Sequence, residues 1–267
     1  QNIINKKNVV HLGNTVAFLD TIGANSRFYE IINLPKNGQP EILEQSKIIP
    51  ETLPQNLNII CNSVDNGIVL MAVKGSDTLY GFRYMNTGND SRPIQAWFTW
   101  TLSGKIDHAF VFHDSLYAVV NYTDIGDVLQ KFELRLNDDF VTQDSINYRV
   151  HLDNYSTIDS SALTYSKDTD LTTFTLPTGY HASNDYSAAI YIADEDSGND
   201  RGKYSTVTLT SNTTGSIKGD WSTSSTYKLT LGYLFDMDVE LPQIYVSTAT
   251  GPQSYKTDQR SSLVVHR

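Results

Sequence analysis

One cysteine in 267 residues excludes an internal disulfide, so no covalent cross-link holds this chain together and a reducing compartment is open to it. That residue, Cys61, lies in the apolar run LNIICNSV, which reads as a small buried hydrophobe with no activating partner nearby. No apolar run reaches the ~20 residues needed to span a bilayer as a helix, and no stretch reads as a signal peptide. Basic residues are few: 20 Lys and Arg stand against 30 Asp and Glu, for a formal net charge of −10. Gripping nucleic-acid phosphates requires Lys and Arg to displace counterions, so a DNA-gripping role is disfavoured, although an acidic chain can still surround DNA without holding it. Phosphate loops, dinucleotide fingerprints, nucleophile elbows and zinc motifs are all missing, and no cofactor is expected.

What the chain has is the vocabulary of β-structure. Hydrophobic residues make up 39% and charged residues 19%, in the range of a globular protein, and there are 16 tyrosines. Runs such as NTVAFLDT, GIVLMAVKG, DTLYGFRYM, QAWFTWTL, DSLYAVVNY and VLQKFELRL are short and bounded by Gly, Asn, Asp or Ser, as strands are. The one weak helix candidate, QPEILEQSKIIPETLP, is limited to a turn or two by Pro50 and Pro54.

Two series of strands recur. Gly13–Phe18 resembles Asn66–Met71 and then Asp114–Val119, at offsets of 53 and 48. SRFYEI from Ser26, TLYGFRY from Thr78 and VLQKFEL from Val128 follow at offsets of 52 and 50. A period near fifty with four short strands per unit is the pattern of a β-propeller blade. One blade is expected at 57–63, 67–73, 78–85 and 95–102, and the next at 105–112, 115–122 and 127–136. Trp97, Trp100 and Tyr117 then read as structural blade aromatics that fill the wedge between twisted sheets. The expected fold class is all-β: a partial propeller over 1–149, a β-sandwich- or barrel-like module over 150–250 that is richer in Thr, Ser, Asn and Tyr, and a return to the propeller over 251–267. Residues 1–149 supply fewer than three blades where a propeller takes about 4–8. With QNIINKK at one end and SSLVVHR at the other, the sequence reads as a segment of a longer polypeptide.

Candidate chemistry is sparse. ADEDSGNDRGK at 193–203 offers Asp194, Asp196 and Asp200, with Glu195, as oxygen ligands for Ca²⁺, but Gly198 is fifth rather than sixth from Asp194 and strands flank the loop, so a solvated hairpin tip is the stronger reading. His108 and His113 are an odd number of residues apart, which on one strand points them to opposite faces and rules out a shared zinc ion. The tripeptide His113-Asp114-Ser115 falls where the repeat needs a turn, and a consecutive tripeptide is no triad. Carboxylates are too numerous for any pair to single out a glycosidase site. NYT at 121–123 and NTT at 212–214 fit the glycosylation pattern, which matters only in a secreted chain.

From Arg92 onward the order of short motifs resembles a known family. Gln95-Ala96-Trp97, Trp100, Leu116-Tyr117, Leu129 to Leu134, YRVHLDN at 148–154, FTLP at 174–177, LGYLFDMDVELP at 231–242 and SSLVVHR at 261–267 resemble, in that order, the tail tubular protein B family, the nozzle proteins of short-tailed bacteriophages (podoviruses). The resemblance covers roughly residues 60 to 267; LGYLFDMDVELP departs from the compact Gly-x-Pro-Tyr turn of that family. It implies a structural virion protein rather than an enzyme, with a propeller in each subunit of a homo-hexameric ring. That ring would form the lower tail tube below an adaptor (tail tubular protein A), help dock tail fibres, let double-stranded DNA pass without specific binding, sit in the virion tail and assemble in the host bacterial cytoplasm. Two other readings stay open: a carbohydrate-binding or glycan-cleaving propeller, since folds host many functions, and a tail fibre or adhesin segment.

Overall fold

The computed structural model describes residues 9–33, 39–87, 91–134, 140–143, 146–149, 152–177, 188–192, 204–211, 213–222, 228–238, 246–248 and 251–253. The chain divides into two compact units, Gln1–Leu234 and Phe235–Arg267. Among the described residues the regular structure is β, apart from single turns of 3₁₀ helix at Gln45–Ile48 and Ser160–Ala162.

Three antiparallel meanders come first. The first sheet holds β1 (Val9–His11), β2 (Val16–Ile22), β3 (Asn25–Asn33) and β4 (Pro40–Glu44) in sequence order. The second holds β5 (Ile59–Ser63), β6 (Ile68–Ala72), β7 (Thr78–Thr87) and β8 (Ser91–Thr101), again in order. The third holds β9 (Lys105–Phe112), β10 (Ser115–Tyr122) and β11 (Gly126–Glu133). These strands lie within a few residues of where the fifty-residue spacing puts them. The helix candidate resolves differently: Pro40–Glu44 pairs with β3 as an edge strand, and only Gln45–Ile48 turns as 3₁₀ helix. Proline at the start of an edge strand costs no ladder hydrogen bond, which makes the strand possible there.

The sheets stack face to face. Leu12, Ala17, Leu19 and Phe28 of the first sheet meet Val69, Met71, Phe82 and Tyr84 of the second in one buried cluster. On its other face the second sheet presents Ile68, Leu70, Ala72 and Leu79 to Ile106, Ala109, Leu116, Ala118 and Val120 of the third. The middle sheet is thus apolar on both sides, and β6 is buried at every residue. Its first strand, β5, lies against both β1 and β9. Polar ties join neighbouring sheets: Asn62 Nδ2 donates to the His11 carbonyl (2.6 Å), Asn66 Nδ2 to Asp114 (3.2 Å), and the Gly75 N–H to the Ile106 carbonyl (2.7 Å).

The facing directions correct one register of the repeat. An offset of 53 maps Ala17 onto Leu70, and both face the next sheet. An offset of 48 then maps Leu70 onto Ala118, which faces back toward the second sheet. Because side chains alternate along a strand, a one-residue slip inverts the face; an offset of 47, which maps Leu70 onto Tyr117, preserves the direction.

After the short pair β12 (Phe140–Gln143) and β13 (Ile146–Arg149), seven strands form one sheet: β14 (Asp153–Asp159), β15 (Thr164–Ser166), β16 (Leu171–Thr175), β17 (Ala188–Ile192), β18 (Tyr204–Ser211), β19 (Thr214–Lys218) and β20 (Lys228–Tyr233). Their spatial order is β14-β20-β17-β18-β19-β16-β15. β18 pairs with β17 through its first half and with β19 through its second, with a register shift between Leu209 and Ser211. Ile158, Leu229 and Leu231 from one end of this sheet share a core with Phe174 and Ile217 from the other, so the sheet curls around its own apolar face. Thr172 on β16, fully buried, anchors the chain as it leaves the neighbouring β19: its Oγ1 donates to the Gly219 carbonyl (2.6 Å) and accepts from the Trp221 N–H (3.1 Å). In the second unit the described strands are β21 (Val246–Thr248) and β22 (Gly251–Gln253), paired antiparallel.

Gly81 shows how tightly the second sheet is packed. It lies directly opposite Phe98, and a Cβ added at Gly81 would come within 2.1 Å of the Phe98 ring. Gly81→Val is expected to displace Phe98 from the core between the second and third sheets and to lower stability by about 1–3 kcal/mol, read as a shift of the denaturation midpoint at unchanged m-value.

Candidate functional site

The aromatics singled out in the sequence occupy three different environments. Trp97 and Trp100 both lie on β8, three residues apart, so they project from opposite faces. Trp97 packs edge-on against Phe28 of the first sheet (5.9 Å between ring centroids, 88°) and against Phe82 (4.9 Å). Trp100 packs on Phe98 (5.0 Å) and stacks toward Phe132 of the third sheet (6.4 Å, 17°). One strand thereby supplies a large ring to each of two inter-sheet cores. The buried Trp97 indole N–H has no hydrogen-bond partner among the described residues, which makes this tryptophan a packing element.

Tyr117 lies in neither core. It stacks on Phe110 (5.4 Å, 11°) on the side of the third sheet that faces away from the second. Rows of directly paired residues continue this face: Phe110–Tyr117–Lys131 and His108–Val119–Leu129. Phe110 is 41% exposed, Phe112 58% and Leu129 61%. The first sheet carries a matching outer face, with Val9–Phe18–Tyr29 in one row and Val16–Ile31–Ile42 in the next. Phe18 and Tyr29 stack at 5.5 Å, and Ile42 is 53% exposed. The sequence reading missed these two faces. Their signal was there: β2 and β10 are apolar at successive positions, as strands buried on both sides are.

The polar candidates disperse. His113 sits in the β9–β10 turn with φ of 51°, and Asp114 beside it accepts from Asn66, so His113-Asp114-Ser115 is a turn. Asp107 pairs with Lys74 (2.9 Å) and Asp77 with Lys105 (2.5 Å), on the rims of the second and third sheets. The hydrogen bond from Lys105 holds the Asp77 carboxyl below its ordinary range. Glu30 is fully buried and accepts hydrogen bonds from the Thr15 hydroxyl and from Gln45 Nε2 (2.7 Å), which ties the β1–β2 turn, β3 and the 3₁₀ turn together. Asp194, Asp196 and Asp200 lie outside the described residues. Among the described residues no three His, Cys, Asp or Glu side chains are gathered as a metal site would need, and no helix is long and apolar enough to cross a membrane.

Cys61 packs at the edge of the core between the second and third sheets. Burial pushes its thiol up to about 12, which keeps it protonated and unreactive. A pKa raised on folding contributes stability that is complete below the unfolded value and lost as pH climbs toward the folded one. Folded protein at pH 8 is therefore expected to resist a thiol-disulfide reagent that labels the unfolded chain. Above the ordinary thiol pKa, the parent should lose stability more steeply with pH than Cys61→Ala does, as parallel denaturant titrations would show.

Compared with known proteins, the chain matches the sequence model of the bacteriophage nozzle protein family over residues 3–267, essentially its whole length, and belongs to that family. No curated protein matches it.

Proposed function

We propose that this nozzle-family chain is a structural, non-enzymatic part of the lower tail tube through which phage DNA leaves the particle. The observation that carries the reading is the family match over residues 3–267. The architecture supports it. Three successive antiparallel meanders stack face to face with β5 lying against both β1 and β9, the arrangement that consecutive propeller blades adopt around an axis. On this reading 1–149 are blades, 150–250 are a module inserted after them, and 251–267 return to the propeller. The seven-stranded sheet suits an insertion, because Asp153 at its start pairs with Tyr233 at its end. Chain entry and exit therefore lie side by side, and the module protrudes as a platform where tail fibres dock. The subunit takes its place in a homo-hexameric ring in the virion tail, beneath the adaptor, after assembly in the host cytoplasm, where a disulfide-free scaffold is stable.

Charge supports passage rather than capture. A net charge of −10 repels phosphate and lets DNA slide, whereas a basic lining would hold it.

Immunogold microscopy of purified phage, with antibody raised to the 193–203 peptide, tests the placement. Label at the distal tail below the portal is the expected result; label on the fibres makes the chain an adhesin segment, and unlabelled virions overturn the tail assignment. In a mobility-shift assay at physiological salt the purified chain is expected to leave duplex DNA unretarded, and retardation there argues against a non-gripping channel.

A further inference from the structure

The sequence holds two Asn-Gly steps, Asn37-Gly38 and Asn66-Gly67, of which the first lies outside the described residues. An asparagine before glycine is chemically labile, because no side chain shields the backbone nitrogen that follows it. Once that nitrogen has lost its proton it attacks the side-chain carbonyl carbon. Ammonia leaves and a succinimide ring closes. Water then opens the ring at either carbonyl and gives aspartate or isoaspartate, so water is the only reagent consumed. Isoaspartate carries the main chain through the side chain and lengthens it by a methylene. Asn66-Gly67 ends the β5–β6 turn, where the fold engages the atoms this reaction needs. The Gly67 N–H donates to the Val64 carbonyl (3.1 Å), and Gly67 is buried. Its φ is 59°, and a Cβ there would lie 2.0 Å from the Tyr84 carbonyl oxygen, so only glycine fits. The Tyr84 N–H donates in turn to the Gly67 carbonyl (2.8 Å). The Asn66 amide is held as well: Nδ2 donates to Ser63 Oγ (2.9 Å) and, across the junction with the third sheet, to Asp114 (3.2 Å).

We infer that Asn66 is a fold-gated deamidation site: the folded turn protects it, a chain left open loses the amide, and the acid that replaces it weakens the junction between the second and third sheets. In the folded turn the Gly67 nitrogen keeps its proton in a hydrogen bond, and the Asn66 side chain can approach it only after Nδ2 leaves both of its acceptors. Reaction therefore runs through local opening, and the population of the open turn sets its rate. The product does not fit back. Asp114 now accepts a hydrogen bond from residue 66; after deamidation it faces a second carboxylate at that position, and like charges at such range repel. Isoaspartate does more damage, because the added methylene displaces Gly67, which is hydrogen-bonded on both sides and has no room beside Tyr84. Hydrolysis of the amide is not reversed under folding conditions, so time spent unfolded is recorded at this one turn. Nothing in this depends on where the protein sits in the virion.

The test is peptide mapping by mass spectrometry of the full chain held at mildly alkaline pH, one sample folded and one in guanidinium chloride. In denaturant Asn66 and Asn37 are expected to convert at similar rates. In the folded sample Asn66 is expected to convert at least about tenfold more slowly than in denaturant. Equal rates at Asn66 in the two samples overturn the gating, and so does an Asn66 that stays intact in denaturant while Asn37 converts. Substitution tests the consequence. Asn66→Asp is expected to lower the denaturation midpoint at unchanged m-value. Combining Asn66→Asp with Asp114→Asn exchanges donor and acceptor across the same gap, and the pair is expected to be more stable than the two single effects add up to. A midpoint equal to the parent's, or a pair that merely adds, overturns the role at the junction. Refolding the parent after ageing in denaturant gives a readout that needs no variant. Molecules that regain the fold are expected to be enriched in intact Asn66, and those that fail to be enriched in its acids; the same composition in both fractions overturns the inference.

Discussion

The rest of the structure depends on the burial of a β-sheet on both of its faces. Every residue of β6, from Ile68 to Ala72, is buried, so the second meander cannot exist as a half-solvated sheet of the common antiparallel kind. It needs a neighbour on each side. The first and third meanders supply those neighbours. Their own outer faces mix exposed apolar side chains such as Ile42 and Leu129 with charged ones such as Arg27 and Lys131.

Large aromatics set the spacing of the stack. Trp97 and Trp100 project to opposite sides of β8, and each reaches a ring on the adjacent sheet, Phe28 on one side and Phe132 on the other. Small residues make room for them, most plainly Gly81 beneath Phe98. Directional ties between the sheets include Asn62 on β5 and Asn66 in the β5–β6 turn, which reach the first and third sheets. Non-directional burial thus brings the sheets together, and a handful of amides fix how they sit. The seven-stranded module solves the same problem differently. It curls until strands from its two ends share one core, with Thr172 holding the chain where it leaves β19.

As a member of the bacteriophage nozzle family the chain is a phage tail structural protein, and its described residues contribute packing and surface. Its one thiol is held protonated, and among the described residues Asp77 and Asp107 pair with lysines and Glu44 with Arg27.

Much of this was legible in the residues themselves. Turn-forming Gly, Asn, Asp and Ser bound runs of β-formers closely enough to locate the strands of the second and third meanders, and the fifty-residue spacing identified them as repeats. The inert cysteine and the turn at His113-Asp114-Ser115 followed from local context alone. What only the tertiary structure decided is direction. Side chains alternate with a period of two, so the offset of 48 placed β10 correctly along the chain and yet inverted its faces; Tyr117 stands on the side of the third sheet turned away from the second. Strand position is set by short-range propensity and turn chemistry, which lie within a few residues of one another. Which face is covered depends on a sheet dozens of residues away, and the pattern of a strand apolar on both sides does not say which side was buried first.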